Sequence, residues 1–487
     1  MLFNSYVFVL LFLPLCVTGY FLLNRFRAGA ANVFLLGMSL WFYGYLNPKY
    51  LAIICSSIVI NYLLCLLMRR FGRENAAQGR RKGILILGIL INLGILGYFK
   101  YADFFISNFN AVFRTDIGLL RIALPLGISF FTFQQISYVV DTYHDRAAAT
   151  DFVTYACYVS FFPQLVAGPI VTQDEFLPQF QDPEKRKVNW DNVAHGSFLF
   201  VLGLAKKIMI ADVFGQVVDA GYSVIPDLNS PSALFLIFSY TMQIYFDFSG
   251  YCDMAMGIGR MFNVELPVNF DSPYKAIGIA DFWKRWHVTL TRFFTKYVYS
   301  PLGGNQKGLV RTYVNVMIIF LLSGLWHGAN WTFVFWGGLH GIFMVMARLW
   351  KNQLEKVPKL IRWAGCFLFV NVAWVFFRAT SFAQAFEVFG RVFRGGFGSL
   401  PFYFTACFVP KGFDVVLNRL PGAGLLPGIL TAAFVIVISY VTFFTDNARE
   451  RTQKGKLGTF RAILAAALLI WCVLSFENVS AFLYFNF

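Results

Sequence analysis

The sequence predicts an all-α polytopic membrane protein, and three observations carry that reading. Hydrophobic residues make up 58% of the chain and charged residues only 14%, where soluble domains carry about 25% charged residues. The 58 phenylalanines and 11 tryptophans suit lipid-facing helices with aromatic belts at the interfaces. Apolar runs of membrane length recur from end to end, divided by short basic loops.

A membrane helix needs about 20 mostly apolar residues. In order, the candidates are 6–24, 31–46, 50–68, 83–99, 118–140, 152–170, 194–214, 233–250, 313–326, 331–349, 363–377, 424–444 and 459–481. That makes roughly 11 to 13 spans, because several are short or broken by Gly and Pro. The first reads as a span rather than a cleaved signal, since MLFNSYVFVLLFLP has no basic segment ahead of its apolar run. The cysteines, Cys16, Cys55, Cys65, Cys157, Cys252, Cys366, Cys407 and Cys472, lie mostly within such runs without CxxC or metal-ligand spacing, and read as free and buried. No metal site and no bound cofactor are expected.

The net charge of +16 and pI near 9.5 do not indicate nucleic-acid binding. The basic residues stand in short loops beside apolar runs, as in Arg69, Arg70, Arg73, Arg80, Arg81 and Lys82, which is how loops are retained in the cytoplasm. By the same rule the loops at 25–30 (Arg25, Arg27), 69–82, 350–362 (Lys351, Lys356, Lys359, Arg362) and 445–458 (Arg449, Arg451, Lys454, Lys456) are cytoplasmic. Both termini and the long loop 378–423 then fall outside.

One stretch departs from the plain pattern. From Tyr245 to Asn305 the chain is too polar for a lipid-facing span and too aromatic for a solvated loop. Such composition suits interfacial or re-entrant helices, or irregular backbone buried around a cavity. The site is expected there and in SGLWHGANWTFVFWGGLHG (323–341), which holds two of the five histidines.

A buried imidazole needs a partner or a function. On one continuous helix His327 and His340 would be separated by about 1300° of rotation and about 20 Å of rise, so they form no same-face ligand pair unless Gly337 and Gly338 break the helix. His327, between Gly324 and Asn330, reads as the chemical one, with Asn330 placed to hold its tautomer; the alternative is a packing histidine bonded to a carbonyl. His340 reads as packing. Lys284, Arg285 and His287, within DFWKRWH, form a cationic, tryptophan-walled patch if helical, suited to an anionic substrate or an oxyanion; the bland alternative is an interfacial amphipathic helix. His144 reads as a solvated loop residue and His195 as interfacial. Asp247 and Asp253 read as carboxylates paired with Lys or Arg across a helix interface. No hydrolase elbow, Walker loop or dinucleotide fingerprint is present.

At WHG (326–328), preceded by FWKRWH (282–287) and LGGN (302–305), the chain resembles the membrane-bound O-acyltransferase family, in its bacterial branch of alginate O-acetylation and teichoic-acid D-alanyl transfer. LPLGISFFTFQQISYVVD (124–141), FFPQLVAGPI (161–170) and YFDFSGYCDMAMGIG (245–259) agree with it. The resemblance runs from residue 1 to 380 and thins over 381–487, within one integral-membrane domain, 1–487. It implies a helical bundle around a central funnel or tunnel, with His327 as the essential histidine and His287 as the second.

The expected reaction moves an acetyl group from a cytoplasmic acyl thioester such as acetyl-CoA to a hydroxyl of an exported polysaccharide, through a periplasmic or extracellular partner protein, in the bacterial cytoplasmic (inner) membrane. His327 serves as general base, an imidazole being mostly neutral at pH 7, or carries the acyl group covalently. His287, with Arg285, stabilises the tetrahedral intermediate; Lys284, Trp326 and Asn330 line the substrate site. Two alternatives stand beside this reading: D-alanyl transfer from a carrier protein to teichoic acid, and a transporter using intramembrane His and Asp as a proton relay.

Overall fold

A computed structural model of the chain describes residues 1–71, 75–410, 423–453, 458–476 and 481–483. Arg73, Lys454 and Lys456 lie outside the described residues, as do 411–422 of the long loop and 477–480 at the end of the last expected span. Among the described residues the chain is helical, with one isolated antiparallel bridge between Phe270 and Trp286 and no strand.

Seven helices among the described residues are long and apolar enough to cross a membrane: Val7–Phe26, Lys49–Arg70, Gln78–Phe113, Leu309–His327, Trp331–Leu349, Lys359–Arg378 and Leu426–Phe444. Ala28–Gly44 and Thr459–Leu474 are shorter apolar helices. These nine account for nine of the expected spans.

The other four fold differently. The 118–140 run begins in non-helical chain and becomes helical only at Ile128–Tyr143, of whose sixteen residues fourteen are buried. The 152–170 run breaks into Phe152–Ser160 and Phe162–Leu165, with Pro163 in the first turn of the second. The 194–214 and 233–250 runs belong to a stretch helical over 190–223 and to the 32-residue helix Ser230–Met261, most of which is buried in protein. Apolar composition reads alike whether lipid or protein surrounds a helix, so these four runs differ from the other nine in their burial within the bundle or in their breaks.

What holds the inner helices in register is charge. Lys207 lies 2.7 Å from Asp247 and 2.8 Å from Asp212, and Lys206 lies 2.6 Å from Asp253. The Asp247 and Asp253 pairings read from the sequence are therefore present. All eight cysteines are free thiols.

Two glycines fix the crossing that matters most. A Cβ on Gly324 would overlap the carbonyl of Phe333, and one on Gly337 would overlap the carbonyl of Phe320. The Leu309–His327 and Trp331–Leu349 helices therefore touch backbone to backbone, as small residues allow within a membrane.

Side-chain bonds gather the loops at two ends of the bundle. At one end Arg81 meets Asp145, Gln173 the Arg146 carbonyl, Arg292 Glu175, Lys275 the Thr445 carbonyl and Asn447 Asp271. At the other Trp331 meets Asn108, Asn330 the Thr380 carbonyl and Asn229 the Ser399 carbonyl.

Candidate active site

His327 is the last residue of its helix. Gly328 is extended at φ −164°, and Asn330 starts the next helix by accepting from the Thr332 amide at 3.1 Å. The break thus falls at 328–330 and not at Gly337–Gly338, and the two histidines stand on the two arms of a helical hairpin. Trp336 separates them, its ring centroid 5.2 Å from His327 and 4.7 Å from His340. His340 Nδ1 accepts from Trp283 Nε1 at 3.2 Å, and Phe369 packs on the ring. Asn330 is spent on capping and on the Thr380 carbonyl, so it is not bonded to the imidazole of His327.

The partner of His327 is His287. The two rings meet edge to face with centroids 6.2 Å apart, and both touch Trp326, at 4.9 Å for His327 and 5.9 Å for His287. They are 2% and 0% exposed. The helix Ile279–Arg285 ends just before His287, which takes φ +46° and opens the helix Val288–Phe294. A non-glycine residue held in the left-handed region is costly, and such residues gather at functional sites.

That turn separates His287 from its neighbours. Lys284 is exposed, and Arg285 is bound to Asp281 at 2.9 Å and to the Asp271 carbonyl at 3.3 Å. The expected cationic patch of Lys284, Arg285 and His287 does not form, because the helix that would align them stops at Arg285.

Two residues that sequence reasoning missed shape the pair. Asn269 Oδ1 accepts from the Thr289 amide at 3.2 Å and from the Thr289 hydroxyl at 2.9 Å, and lies 3.1 Å from His287 Nδ1. A backbone N–H only donates, so this oxygen is the acceptor and His287 Nδ1 carries the proton. The lone pair is then on Nε2. The asparagine that fixes a tautomer is therefore Asn269, not Asn330, and it acts on His287. Lys100 places its ammonium 2.6 Å from the Trp326 carbonyl, 3.4 Å from that of His327 and 3.2 Å from Ser129 Oγ. Tyr101 donates to the Leu325 carbonyl at 2.8 Å. Both belong to the π-helical turn Gly97–Tyr101 and together hold the open carbonyls at the end of the His327 helix. The signal available was a lysine inside an apolar helix; Asn269 gave none, being one asparagine in an irregular stretch.

Two pockets lie beside the pair, each lined by close chain neighbours of one histidine and by neither imidazole. One of about 270 Å³ is lined by Lys100, Asp103, Gly328 and Asn330, beside His327. One of about 90 Å³ is lined by Glu175, Arg292, Lys296 and Thr289, the residue that shares Asn269 with His287. Among the described residues no cluster of three or more His, Cys, Asp or Glu is placed to hold a metal ion.

A buried imidazole pair within a membrane bundle is chemistry that group transfer can use, and comparison with known proteins defines the class as acyl transfer. The sequence model of the MBOAT, membrane-bound O-acyltransferase, family matches residues 145–385, which include both histidines. The chain is 38% identical to the peptidoglycan O-acetyltransferase of Helicobacter pylori, over 100% of this chain and 98% of the relative. It is 35% identical to the probable alginate O-acetylase AlgI of Pseudomonas putida over the full length of both. The teichoic acid D-alanyltransferase of Streptococcus thermophilus is more distant, 24% identical over 49% of this chain and 60% of the relative. The chain belongs to the membrane-bound O-acyltransferase family; it is a multi-pass membrane acyltransferase.

Proposed function

We propose that the chain transfers acetyl groups from an acyl thioester, acetyl-CoA, at the cytoplasmic face to hydroxyls of an exported cell-surface or extracellular polysaccharide, in the bacterial inner membrane. The observation that carries this reading is the buried His287–His327 contact, with one pocket beside Gly328 and another beside Thr289. Activated thioesters are made in the cytoplasm and exported polymers lie outside, so a base reached from both faces brings them together. The full-length similarity to proteins named for O-acetylation of peptidoglycan and alginate supports acetyl over D-alanyl transfer. A proton relay is disfavoured by Asp247 and Asp253, each already bound to a lysine.

In this reading the basic-loop end, with Arg81 and Arg292, faces the cytoplasm. His327 takes the proton of the attacking hydroxyl. His287, its Nδ1 proton directed at Asn269, offers Nε2 to steady the imidazolium that forms on His327, as the third member of a hydrolytic triad does. This revises the expected role of His287 as oxyanion donor, since Nε2 carries the lone pair. A periplasmic partner protein receives or completes the transfer.

The donor separates the readings. Native membranes containing the chain keep the polymer and any partner protein, and are given either radiolabelled acetyl-CoA or a D-alanyl-charged carrier protein. Label is expected in the polymer from acetyl-CoA alone. Incorporation from the D-alanyl carrier alone would overturn the acetyl reading.

A further inference from the structure

A thioester carbonyl attacked by a hydroxyl becomes a tetrahedral oxyanion, and donors already aimed at that oxygen are the largest single aid to such reactions. The obvious donors near His327 are engaged elsewhere. Arg285 is held by Asp281 and the Asp271 carbonyl. The Asn330 amide reaches the Thr380 carbonyl, and the His287 proton faces Asn269. The three protons of the Lys100 ammonium match its three acceptors, Trp326 O, His327 O and Ser129 Oγ.

The indoles tell a different story. Trp283 donates to His340 Nδ1, Trp331 to Asn108, Trp363 to the Tyr274 carbonyl and Trp374 to the Tyr274 hydroxyl. Trp326 and Trp336 are 5% and 0% exposed, yet among the described residues neither Nε1 has a hydrogen-bond acceptor. A buried donor without an acceptor costs stability, so one that persists calls for a function. These are also the two indoles whose rings touch His327, with centroids at 4.9 and 5.2 Å. His340 packs against Trp336, with ring centroids 4.7 Å apart.

We infer that the indole N–H groups of Trp326 and Trp336 form the oxyanion-binding donors for acyl transfer at His327. The inference rests on the acyl-transfer reading above. The hydroxyl oxygen bonds to the thioester carbon while its proton passes to the His327 imidazole. The C=O π pair moves onto oxygen, where the indole N–H groups hold it. Collapse restores the C=O and breaks the C–S bond, and the thiolate takes the proton back from the imidazolium. Ester and thiol leave, with no other reactant required.

The test removes N–H and keeps shape. Site-specific 3-benzothienylalanine, with sulfur in place of the indole N–H, is placed at 326, at 336 and at both, in the full-length protein with an acetyl thioester. Loss of one oxyanion donor typically costs about 10²–10³-fold in kcat. A fall of about 10²-fold at either position, with the KM for the thioester unchanged, is expected, and Trp336→Phe falls with it. An indole that only packs would leave kcat untouched by the sulfur analogue. Wild type and His327→Ala are run alongside. If wild type turns over, His327→Ala does not, and all three analogue proteins keep wild-type kcat, the oxyanion assignment alone is overturned. If His327→Ala turns over like wild type, the acyl-transfer reading fails and takes this inference with it.

Discussion

Replacing His327 with alanine is expected to abolish acyl transfer, with turnover at least about 10³-fold below wild type, since a positioned general base contributes roughly 10²–10⁴-fold. The expectation is specific to this histidine because of where its helix ends. Gly324 and Gly337 bring the hairpin arms into backbone contact, and Lys100 and Tyr101 hold the carbonyls of Leu325, Trp326 and His327. The imidazole is thereby fixed against Trp326, Trp336 and Phe377. None of those packing forces acts through the ring nitrogens, so the variant should remain monodisperse with a similar unfolding midpoint. His327→Gln, which keeps a polar side chain but no basic nitrogen, should be equally inactive. Turnover by the glutamine variant near wild type would show that position 327 supplies a hydrogen bond and not a base. Thiol release from the acetyl thioester measures both.

Lys207→Met should have the largest effect on stability. Lys207 and Asp247 are each 2% exposed in the side chain, and Asp212 is 17% exposed. Removing the ammonium leaves carboxylates buried without their counter-charge, and breaking one partner of such a pair costs about 3–5 kcal/mol. The damage spreads, because Lys207 also donates to the Ala481 carbonyl, and the Leu483 amide donates to Asp247. The Arg285–Asp281 pair gives the contrast: both side chains are about one-third exposed, and such pairs contribute roughly 0–1 kcal/mol. Thermal unfolding in detergent should therefore show a clearly lowered midpoint for Lys207→Met and little change for Arg285→Met. Equal midpoints for Lys207→Met and wild type would mean that the buried network carries no net stability.

The sequence made the bundle legible wherever lipid surrounds it. Runs such as 50–68, 331–349 and 363–377 became membrane-length helices because length and composition alone define them. It was silent on where protein takes the place of lipid, as at Ile128–Tyr143, most of which is buried in the bundle. In the site, His287 and His327 stood out as scarce ionisable groups in apolar surroundings, and the structure puts their rings in contact. The grouping of Lys284 and Arg285 with His287 assumed a continuous helix, and the left-handed residue at His287 defeats it. Likewise the 13-residue spacing of His327 and His340 was read along one helix, whereas Gly328 breaks it and Asn330 starts another. Asn269 and Lys100 act through contacts separated by 18 and 226 residues. Local pattern carries no trace of partners that far apart.

One measurement tests the central claim, a single base reached from both faces. Inside-out membrane vesicles containing the chain are loaded with an oligosaccharide and soluble periplasmic proteins, and radiolabelled acetyl-CoA is added outside. Acetylated oligosaccharide within the lumen, with free thiol released outside and neither formed by His327→Ala vesicles, is the expected result. Acetylation only after the vesicles are made leaky, or lumenal label that forms equally with His327→Ala, would contradict it.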